Sequence, residues 1–265
     1  MSAVPSLTRR ALFAGVLAAQ AKASVLDAAW AQAGFDPAAV ALLLEGPQTA
    51  ETTPSWPQAE TPVPPGSLLK PFAAAAYGAG HGFEYPVERC DGSDCWLPSG
   101  HGTLGLSEAI AQSCNTYFRR LARRISPGSM AQAATTFGLP APPLGVNEDS
   151  WWGLGDGWRV APVRLAHAYR ELALRRGDPG LGPIVEGLRL SAARGTAAGV
   201  GAGALAKTGT APCVHRGSNG DGYACVLYPA DRPRYTMLLQ LHGRTGREAA
   251  RAAGIVVQTW IRGLR

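Results

Sequence analysis

The order of the secondary-structure patterns constrains the fold of this 265-residue chain more than any other feature. A short apolar run at 36–46 predicts one strand, and amphipathic helical patterns follow between about 67 and 200. The last third changes character and predicts three strands, near 203–211, 222–229 and 234–243, before a final helix. This order predicts an α+β fold in which helices flank an antiparallel sheet and an all-helical lobe is inserted into it.

Length and composition agree with a single globular unit. The chain has 46% hydrophobic and 17% charged residues, which is typical of a folded protein, and its length suits one domain or two closely packed lobes. We expect one domain at 24–265, with a helical lobe at about 67–200 and a sheet lobe formed by 36–46 and 201–265. The net charge of +6 suits contact with anionic polymers or membrane surfaces, and we expect no nucleic-acid partner.

The N-terminus predicts an export signal at 1–23. A basic T-R-R motif precedes an apolar run at 11–19 and a small-residue cleavage site that ends at Ala21 or Ala23. The motif resembles a twin-arginine signal. A second small-residue cluster leaves the cleavage point open up to Ala33, and an amphipathic N-terminal helix is the alternative. We therefore expect a protein of the periplasm or cell envelope that is soluble after cleavage.

Five cysteines agree with an oxidising compartment. Cys90 and Cys95 bracket a four-residue loop, and Cys213 and Cys225 flank a predicted hairpin tip. These are two candidate disulfide pairs, and Cys114 is left over. The sequence alone does not fix their connectivity.

A zinc site is the alternative explanation for the first pair. Its ligands would be His81, Cys90, Cys95 and His101, but their spacing matches no compact zinc-ligand pattern. We therefore expect neither a metal nor a cofactor.

Lysine is rare in this chain, because only Lys22, Lys70 and Lys207 are found among 25 basic residues. Arginine stays protonated in proteins, whereas a buried or charge-crowded lysine can lose its proton and act as a base. Lys70 lies three residues after Ser67 at a predicted helix start, so the two side chains share a face. A chance remainder of a biased composition is the alternative, and the surrounding motifs decide between the two.

The S-L-L-K motif at 67–70 contains the elements of an activated nucleophile. Serine reacts well only when a base takes its proton. Lysine can do so if its pKa is lowered from about 10.4 toward neutrality, and a second nearby cation supplies part of that shift. The S-C-N motif at 113–115 adds a second hydroxyl and an amide, and the K-T-G motif at 207–209 adds a second lysine.

In this order, the three motifs resemble the serine–lysine set of penicillin-binding proteins and serine β-lactamases. The stretches PPGSLLKPF and CWLPSGHGTLGLSEAIAQSCNTYF are similar to class B transpeptidase domains of the cell-elongation type. The segments GLGDGWRVAPVRLAHAY, AKTGTAP and YPADRPRYTMLLQLHG extend the resemblance from about residue 60 to the C-terminus. It implies a β-lactamase/transpeptidase-like fold with an active site between the two lobes.

The resemblance also implies catalytic roles for four residues. Ser67 would be the acylated nucleophile and Lys70 its base. Ser113 would relay a proton to the leaving group with the help of Lys207.

Substrate-binding roles are implied for the remaining motif residues. Asn115 would hold the peptide amide of the substrate. The K-T-G strand would bind substrate through Thr208, Gly209 and Thr210, with the two threonines holding the terminal carboxylate of a D-Ala-D-Ala stem peptide or of a β-lactam. The backbone N–H groups of Ser67 and Thr210 would form the oxyanion hole.

We therefore expect an exported D,D-transpeptidase or D,D-carboxypeptidase that acts on peptidoglycan stem peptides through a serine acyl-enzyme. Its partners would be stem peptides, β-lactam antibiotics and a further protein of cell-wall synthesis. A serine β-lactamase is the first alternative, but it needs a water-activating group, and only a loop-like acidic cluster at 147–150 is available. A non-catalytic scaffold that binds β-lactams or muropeptides is the second.

Overall fold

The structure is a computed structural model that describes residues 25–46, 49–52, 56, 58–213 and 220–261. The predicted export signal and the tip of the predicted hairpin between Cys213 and Cys225 lie outside the described residues.

One five-stranded sheet organises the chain, with the strand order β2-β1-β7-β6-β5 and every neighbouring pair antiparallel. A separate two-stranded ribbon pairs β3 with β4. The strands are β1 (Val40–Gly46), β2 (Thr49–Thr52), β3 (Glu88–Cys90), β4 (Gly102–Leu104), β5 (Leu205–Ala211), β6 (Asp221–Tyr228) and β7 (Tyr235–His242).

Most helices lie between β2 and β5 in the sequence, which is where the sequence predicts an inserted helical lobe. Short 3₁₀ turns at Pro37–Ala39, Gly66–Leu69 and Glu148–Trp152 and a π turn at Val257–Ile261 complete the helical elements. The α-helices are α1 (25–32), α2 (Lys70–Gly80), α3 (Leu106–Ala111), α4 (Asn115–Ala122), α5 (Pro127–Thr136), α6 (Pro162–Leu174), α7 (Gly182–Arg194) and α8 (Gly246–Val256). The predicted α+β class, with an antiparallel sheet flanked by helices, is confirmed.

Both faces of the sheet are covered, which explains why β6 and the interior of β7 are buried at nearly every position. On one face, Leu227 and Leu238 join a cluster that includes Leu165 and Leu172 of α6. On the other face, Leu239 belongs to a second cluster formed largely with the alanines of α8. Strands covered on both faces lose the alternation of apolar and polar residues.

Helix α1 belongs to the second cluster. Leu26 and Trp30 are 5% and 4% exposed, and the Trp30 Nε1–H donates to the Ala252 carbonyl at 3.0 Å. Residues 25–32 are therefore an integral part of the folded domain. No helix among the described residues is long and apolar enough to span a bilayer.

Candidate active site

Ser67 lies on a tight turn between two parts of the fold. The sequence predicts a helix from Ser67, but the structure starts with the 3₁₀ turn and becomes α-helical at Lys70. Gly66 has φ +57°, and a Cβ atom there would lie 2.8 Å from the Thr210 carbonyl oxygen. A Cβ atom on Gly153, which has φ +92°, would lie 1.7 Å from the Gly66 oxygen. Glycine at both positions lets the backbone of β5 and of the 148–152 turn approach the serine closely.

Ser113 lies on the short connection between α3 and α4. Its φ of +52° is in the left-handed region, which is uncommon for a residue other than glycine. The Ser113 N–H donates to the Ile110 carbonyl, and the Trp96 indole N–H donates to the Ser113 carbonyl at 3.1 Å. These contacts hold a strained conformation that aims the hydroxyl into the cleft, a pattern that clusters at functional sites.

Lys70 is fully buried and donates three hydrogen bonds. Its ammonium contacts the Ser113 carbonyl at 2.7 Å, the Ser113 hydroxyl at 3.2 Å and the Asn115 Oδ1 at 2.8 Å. Burial lowers the pKa of Lys70 to about 7, against the opposing influence of Cys114 and Cys95. At pH 7, a lysine with this pKa is partly uncharged and can therefore accept a proton.

Lys207 reaches the same hydroxyl from the sheet. Its ammonium donates to the Ser113 Oγ at 2.8 Å and to the Thr208 carbonyl at 2.8 Å. Burial, followed by repulsion from Lys70, places the pKa of Lys207 well below its ordinary value. The Ser113 hydroxyl thus lies between two buried amines.

Ser67 and Lys70 lie three residues apart in the chain, but no hydrogen bond joins their side chains in the described structure. Lys70 instead turns to Ser113 and Asn115. Catalytic hydrogen bonds are often long or absent before substrate binds and form only in the complex. Ser67 and Ser113 nevertheless line the same cavity.

The K-T-G strand forms the sheet side of this cavity. The Thr208 hydroxyl donates to Thr196 Oγ1 at 2.6 Å, and Thr210 Oγ1 accepts from the Gly246 N–H at 2.9 Å. Gly209 allows the strand to approach the turn before Ser67, since a Cβ atom there would lie 2.9 Å from the Pro65 oxygen. The methyl group of Ala206, just before the motif, packs into the cluster that contains the α8 alanines.

Six of the eight predicted catalytic and substrate-binding residues line one cleft, and the other two, Lys70 and Lys207, are buried behind it and contact it through Ser113. The cavity is about 460 Å³ in volume. The other side chains that line the cavity were not predicted from the sequence, because no short motif marks them. They are those of Trp96, Trp152, Leu154, Thr196, Thr245 and Arg247. The Arg247 guanidinium lies over the Trp96 ring, 4.8 Å from the ring centroid, and places a positive charge at the cavity.

The candidate disulfides are not formed, and none of the five cysteines, each within the described part of the chain, is disulfide-bonded. For Cys213 and Cys225 the sheet register explains this result. Cys225 pairs with Lys207, whereas Cys213 lies two residues past the end of β5, beside His242. At about 3.3 Å per residue, the two cysteines are too far apart to bond.

Cys90 and Cys95 join a different arrangement, in which four potential metal ligands converge. The Cys90 and Cys95 Sγ atoms lie 3.6 Å and 3.5 Å from the His101 Nδ1, and Cys95 lies 3.9 Å from Cys114 Sγ. All four ligand atoms are within 4.8 Å of one another. His81, the fourth ligand considered from the sequence, stacks on Tyr77 instead.

This cysteine cluster (Cys90, Cys95, His101 and Cys114) has the chemistry and dimensions of a structural zinc site. With Zn–S of about 2.3 Å and Zn–N of about 2.0 Å, a tetrahedral site separates S and N by about 3.5 Å and two S atoms by about 3.8 Å. The observed distances match these edges. The spacing along the sequence failed to indicate the site because Cys114 reaches it from the S-C-N motif.

The cluster is physically joined to that motif. Cys114 lies between Ser113 and Asn115, and the Asn115 N–H donates to Cys95 Sγ at 3.3 Å. Burial raises the pKa of Cys114 to about 12, a penalty that a bound cation would offset. For Cys95, burial opposes ionisation, but backbone N–H groups of Leu97, Thr116 and Asn115 outweigh it and lower the pKa.

Comparison with known proteins agrees with this geometry. A family model described as the penicillin binding protein transpeptidase domain matches residues 41–176, half of the chain, which includes the S-L-L-K and S-C-N motifs. The K-T-G strand lies beyond the matched residues. No curated protein sequence matches the chain significantly.

Several solved structures share the fold. Penicillin-binding protein 2 of Pseudomonas aeruginosa, in complex with WCK 5153, has a TM-score of 0.64 and 21% identity over 76% of this chain, and the chain spans 61% of that protein. The apo transpeptidase domain of Burkholderia pseudomallei penicillin-binding protein 3 has a TM-score of 0.65 and 20% identity, with 85% of this chain and 88% of that chain covered. A peptidoglycan glycosyltransferase of Burkholderia ambifaria has a TM-score of 0.68 and 19% identity, with 92% and 96% covered. At these identities the likeness concerns the fold.

The cysteine cluster generates a direct prediction. We expect Cys114→Ser to lower the zinc content of the purified full chain by about one equivalent, because a tetrahedral structural site fails when one of its thiolates is lost. Elemental analysis by mass spectrometry after dialysis against buffered zinc measures it. The matched control is Cys225→Ser, which removes a buried thiol outside the cluster and should leave the content unchanged. Equal zinc in wild type and Cys114→Ser would contradict the prediction.

Proposed function

Because the chain belongs to the family of penicillin-binding protein transpeptidase domains, we propose that it is an exported D,D-transpeptidase or D,D-carboxypeptidase, most similar to class B enzymes of the elongation type. Its substrate would be the D-Ala-D-Ala end of a peptidoglycan stem peptide, and β-lactams would acylate the same serine. The observation that carries the proposal is the Ser113 hydroxyl, which accepts hydrogen bonds from both Lys70 and Lys207 inside the cavity that Ser67 lines.

In the first step, uncharged Lys70 accepts the proton of Ser67 while Ser67 Oγ attacks the carbonyl carbon of the penultimate D-Ala. The pKa of about 7 for Lys70 supports this role, since a base works best when its pKa is near the working pH. The negative charge that develops on the carbonyl oxygen would be met by the N–H groups of Ser67 and Thr210.

In the second step, the tetrahedral intermediate collapses and the C–N bond breaks. The leaving D-Ala amine needs a proton, and Ser113 is suited to pass one from Lys70 or Lys207 because its oxygen contacts both. The product is an acyl-enzyme ester on Ser67. An amine acceptor then gives transpeptidation, whereas water gives carboxypeptidation, and in both cases the serine proton is returned to Ser67.

A carboxylate that could activate a deacylating water is missing among the described residues that line the cavity. Asp149, within the acidic cluster considered from the sequence, accepts from the Trp152 indole N–H at 3.2 Å and lies 3.7 Å from the Arg119 guanidinium. It is thus engaged in structural contacts. This arrangement favours a long-lived acyl-enzyme over β-lactamase turnover.

A non-catalytic scaffold has no use for the buried lysines. The lowering of the Lys70 pKa from 10.5 to about 7 corresponds to a folding penalty of about 4 kcal/mol at neutral pH. That is comparable to the whole net stability of a small domain. Retention of such a costly group favours catalysis.

Export is a second part of the proposal. The T-R-R motif and apolar run support it, and the packing of Leu26 and Trp30 against α8 supports a cleavage point before Val25.

Intact mass of the protein recovered from the cell envelope tests this part. We expect a chain that starts at Lys22 or Ser24 and is absent from the envelope when Arg9 and Arg10 are both replaced by lysine. The lysine pair keeps the positive charge, so a loss of export would report the need for arginine itself at these two positions. An envelope protein that retains Met1, or one cut after α1, would contradict the proposal.

Labelling with a fluorescent penicillin tests the chemistry. We expect a covalent band on a denaturing gel that persists for wild type and is lost in Ser67→Ala. Lys70→Arg should slow acylation by about 10²-fold or more, since charge is kept but the base is lost. Ser129→Ala, in α5 and far along the chain from the motifs, is the matched control and should label normally.

The outcomes separate the alternatives. Rapid antibiotic consumption without a band would indicate a β-lactamase. Neither labelling nor consumption would indicate a scaffold, and near-normal acylation in Lys70→Arg would exclude Lys70 as the base.

A further inference from the structure

A second group of metal-ligand side chains lies at one edge of the sheet, apart from the cysteine cluster. Asp221 is the first residue of β6 and His242 the last of β7, and the two are paired in the sheet register. Cys213 follows β5 by two residues. The Cys213 Sγ, a His242 ring nitrogen and an Asp221 carboxylate oxygen all lie within 4.8 Å of one another. Three strand ends therefore meet at one set of donor atoms.

Two short contacts join the members of this group. The His242 Nδ1 lies 2.8 Å from Asp221 Oδ1 and 3.5 Å from Cys213 Sγ. A hydrogen on Nδ1 would serve mainly the nearer Asp221 carboxylate, whereas a metal ion in place of that hydrogen would contact the nitrogen, the carboxylate and the thiolate together. A cysteine nucleophile triad is excluded, because its histidine would use opposite ring nitrogens for the thiol and the carboxylate.

A zinc ion satisfies all three donors. In a tetrahedral zinc site, S and N lie about 3.5 Å apart and N and O about 3.3 Å apart. The first value matches the observed Cys213–His242 distance, and the second requires Asp221 to move outward by about 0.5 Å. One thiolate, one imidazole and one carboxylate are all established zinc ligands.

The surroundings have the features of a metal site. Asp221 is fully buried, and Gln240 Nε2 donates to its second oxygen at 2.9 Å, which orients the carboxylate as outer ligands of metal sites do. Cys213 and His242 are half-buried, so an ion can enter from solvent.

We propose that Cys213, Asp221 and His242 bind one Zn²⁺ ion, and that this ion ties the end of β5 to β6 and β7. The consequence reaches the active-site cleft along two short routes. Thr210 lies three residues before Cys213, and Gly246 lies four residues after His242. These two residues are joined by the hydrogen bond from the Gly246 N–H to Thr210 Oγ1. The metal would hold this side of the cleft in place, but its presence can be measured without any assumption about activity.

The test counts metal in the full chain, purified under reducing conditions and dialysed against buffered zinc. We expect Cys213→Ala to hold about one equivalent less zinc than wild type. Cys213 is the preferred position because it is half-buried and follows a strand, so its loss spares the core. The matched control is Cys225→Ala, a cysteine outside both ligand groups, which should hold as much zinc as wild type.

Cobalt substitution identifies which ligands are engaged. The thiolate-to-cobalt charge-transfer band should weaken partly in Cys213→Ala and partly in Cys114→Ala, and it should vanish when both are combined with the loss of Cys90 and Cys95. If Cys213→Ala holds the same zinc and gives the same cobalt spectrum as wild type, the second site does not exist.

Gln240→Ala provides a test that keeps all three ligands. We expect the zinc dissociation constant of this site to rise about 10- to 100-fold, as is typical when an outer partner of a metal ligand is removed. Competition with a chromophoric chelator, in a protein that also carries Cys114→Ala, measures this site alone. An unchanged constant would contradict the assigned role of Gln240 and with it the proposed carboxylate ligand.

Discussion

Two buried lysine side chains share one hydroxyl oxygen, and the rest of the active-site account depends on this contact. Ser113 Oγ accepts from Lys70 at 3.2 Å and from Lys207 at 2.8 Å, and neither lysine has exposed surface. It costs free energy to keep two ammonium groups charged when they are buried this close together. Burial therefore lowers both pKa values. A proton can then move between the amines through the hydroxyl that joins them.

Both lobes of the fold position the side chains that make this contact. The sheet delivers Lys207 from β5, and the helical lobe delivers Ser113 on a connection with φ +52°. Few regular hydrogen bonds stabilise such a connection, so it depends on its neighbours. The cysteine cluster packs directly beneath it, and the Cys213 site lies where β5 ends. Both ligand groups therefore border segments that carry motif residues.

The sequence predicted what local patterns encode. The order of β1, the three C-terminal strands and the helices between them followed from periodicity, whereas β2 and the β3–β4 ribbon were not predicted. The break between α3 and α4 followed from the S-C-N motif. Contacts between segments that are distant in the chain could not be predicted from the sequence. The sequence left Cys114 unassigned because its neighbours in the cluster come from a distant loop near residue 95. The candidate Cys213–Cys225 pair was wrong because only the strand register reveals how far apart the two cysteines lie. Arg247 entered the cleft from the start of α8 without any motif to mark it.

The central claim is that Lys70 is the base because burial keeps it partly uncharged, and the pH dependence of acylation tests it most directly. The rate constant for acylation by a β-lactam should fall about tenfold per pH unit below about 7, where Lys70 becomes protonated, and should level off above that value. The full-length protein should be measured under conditions where it remains folded throughout. A rate that continues to rise toward pH 10, near the ordinary pKa of lysine, or one that ignores pH between 5 and 9, would contradict the account.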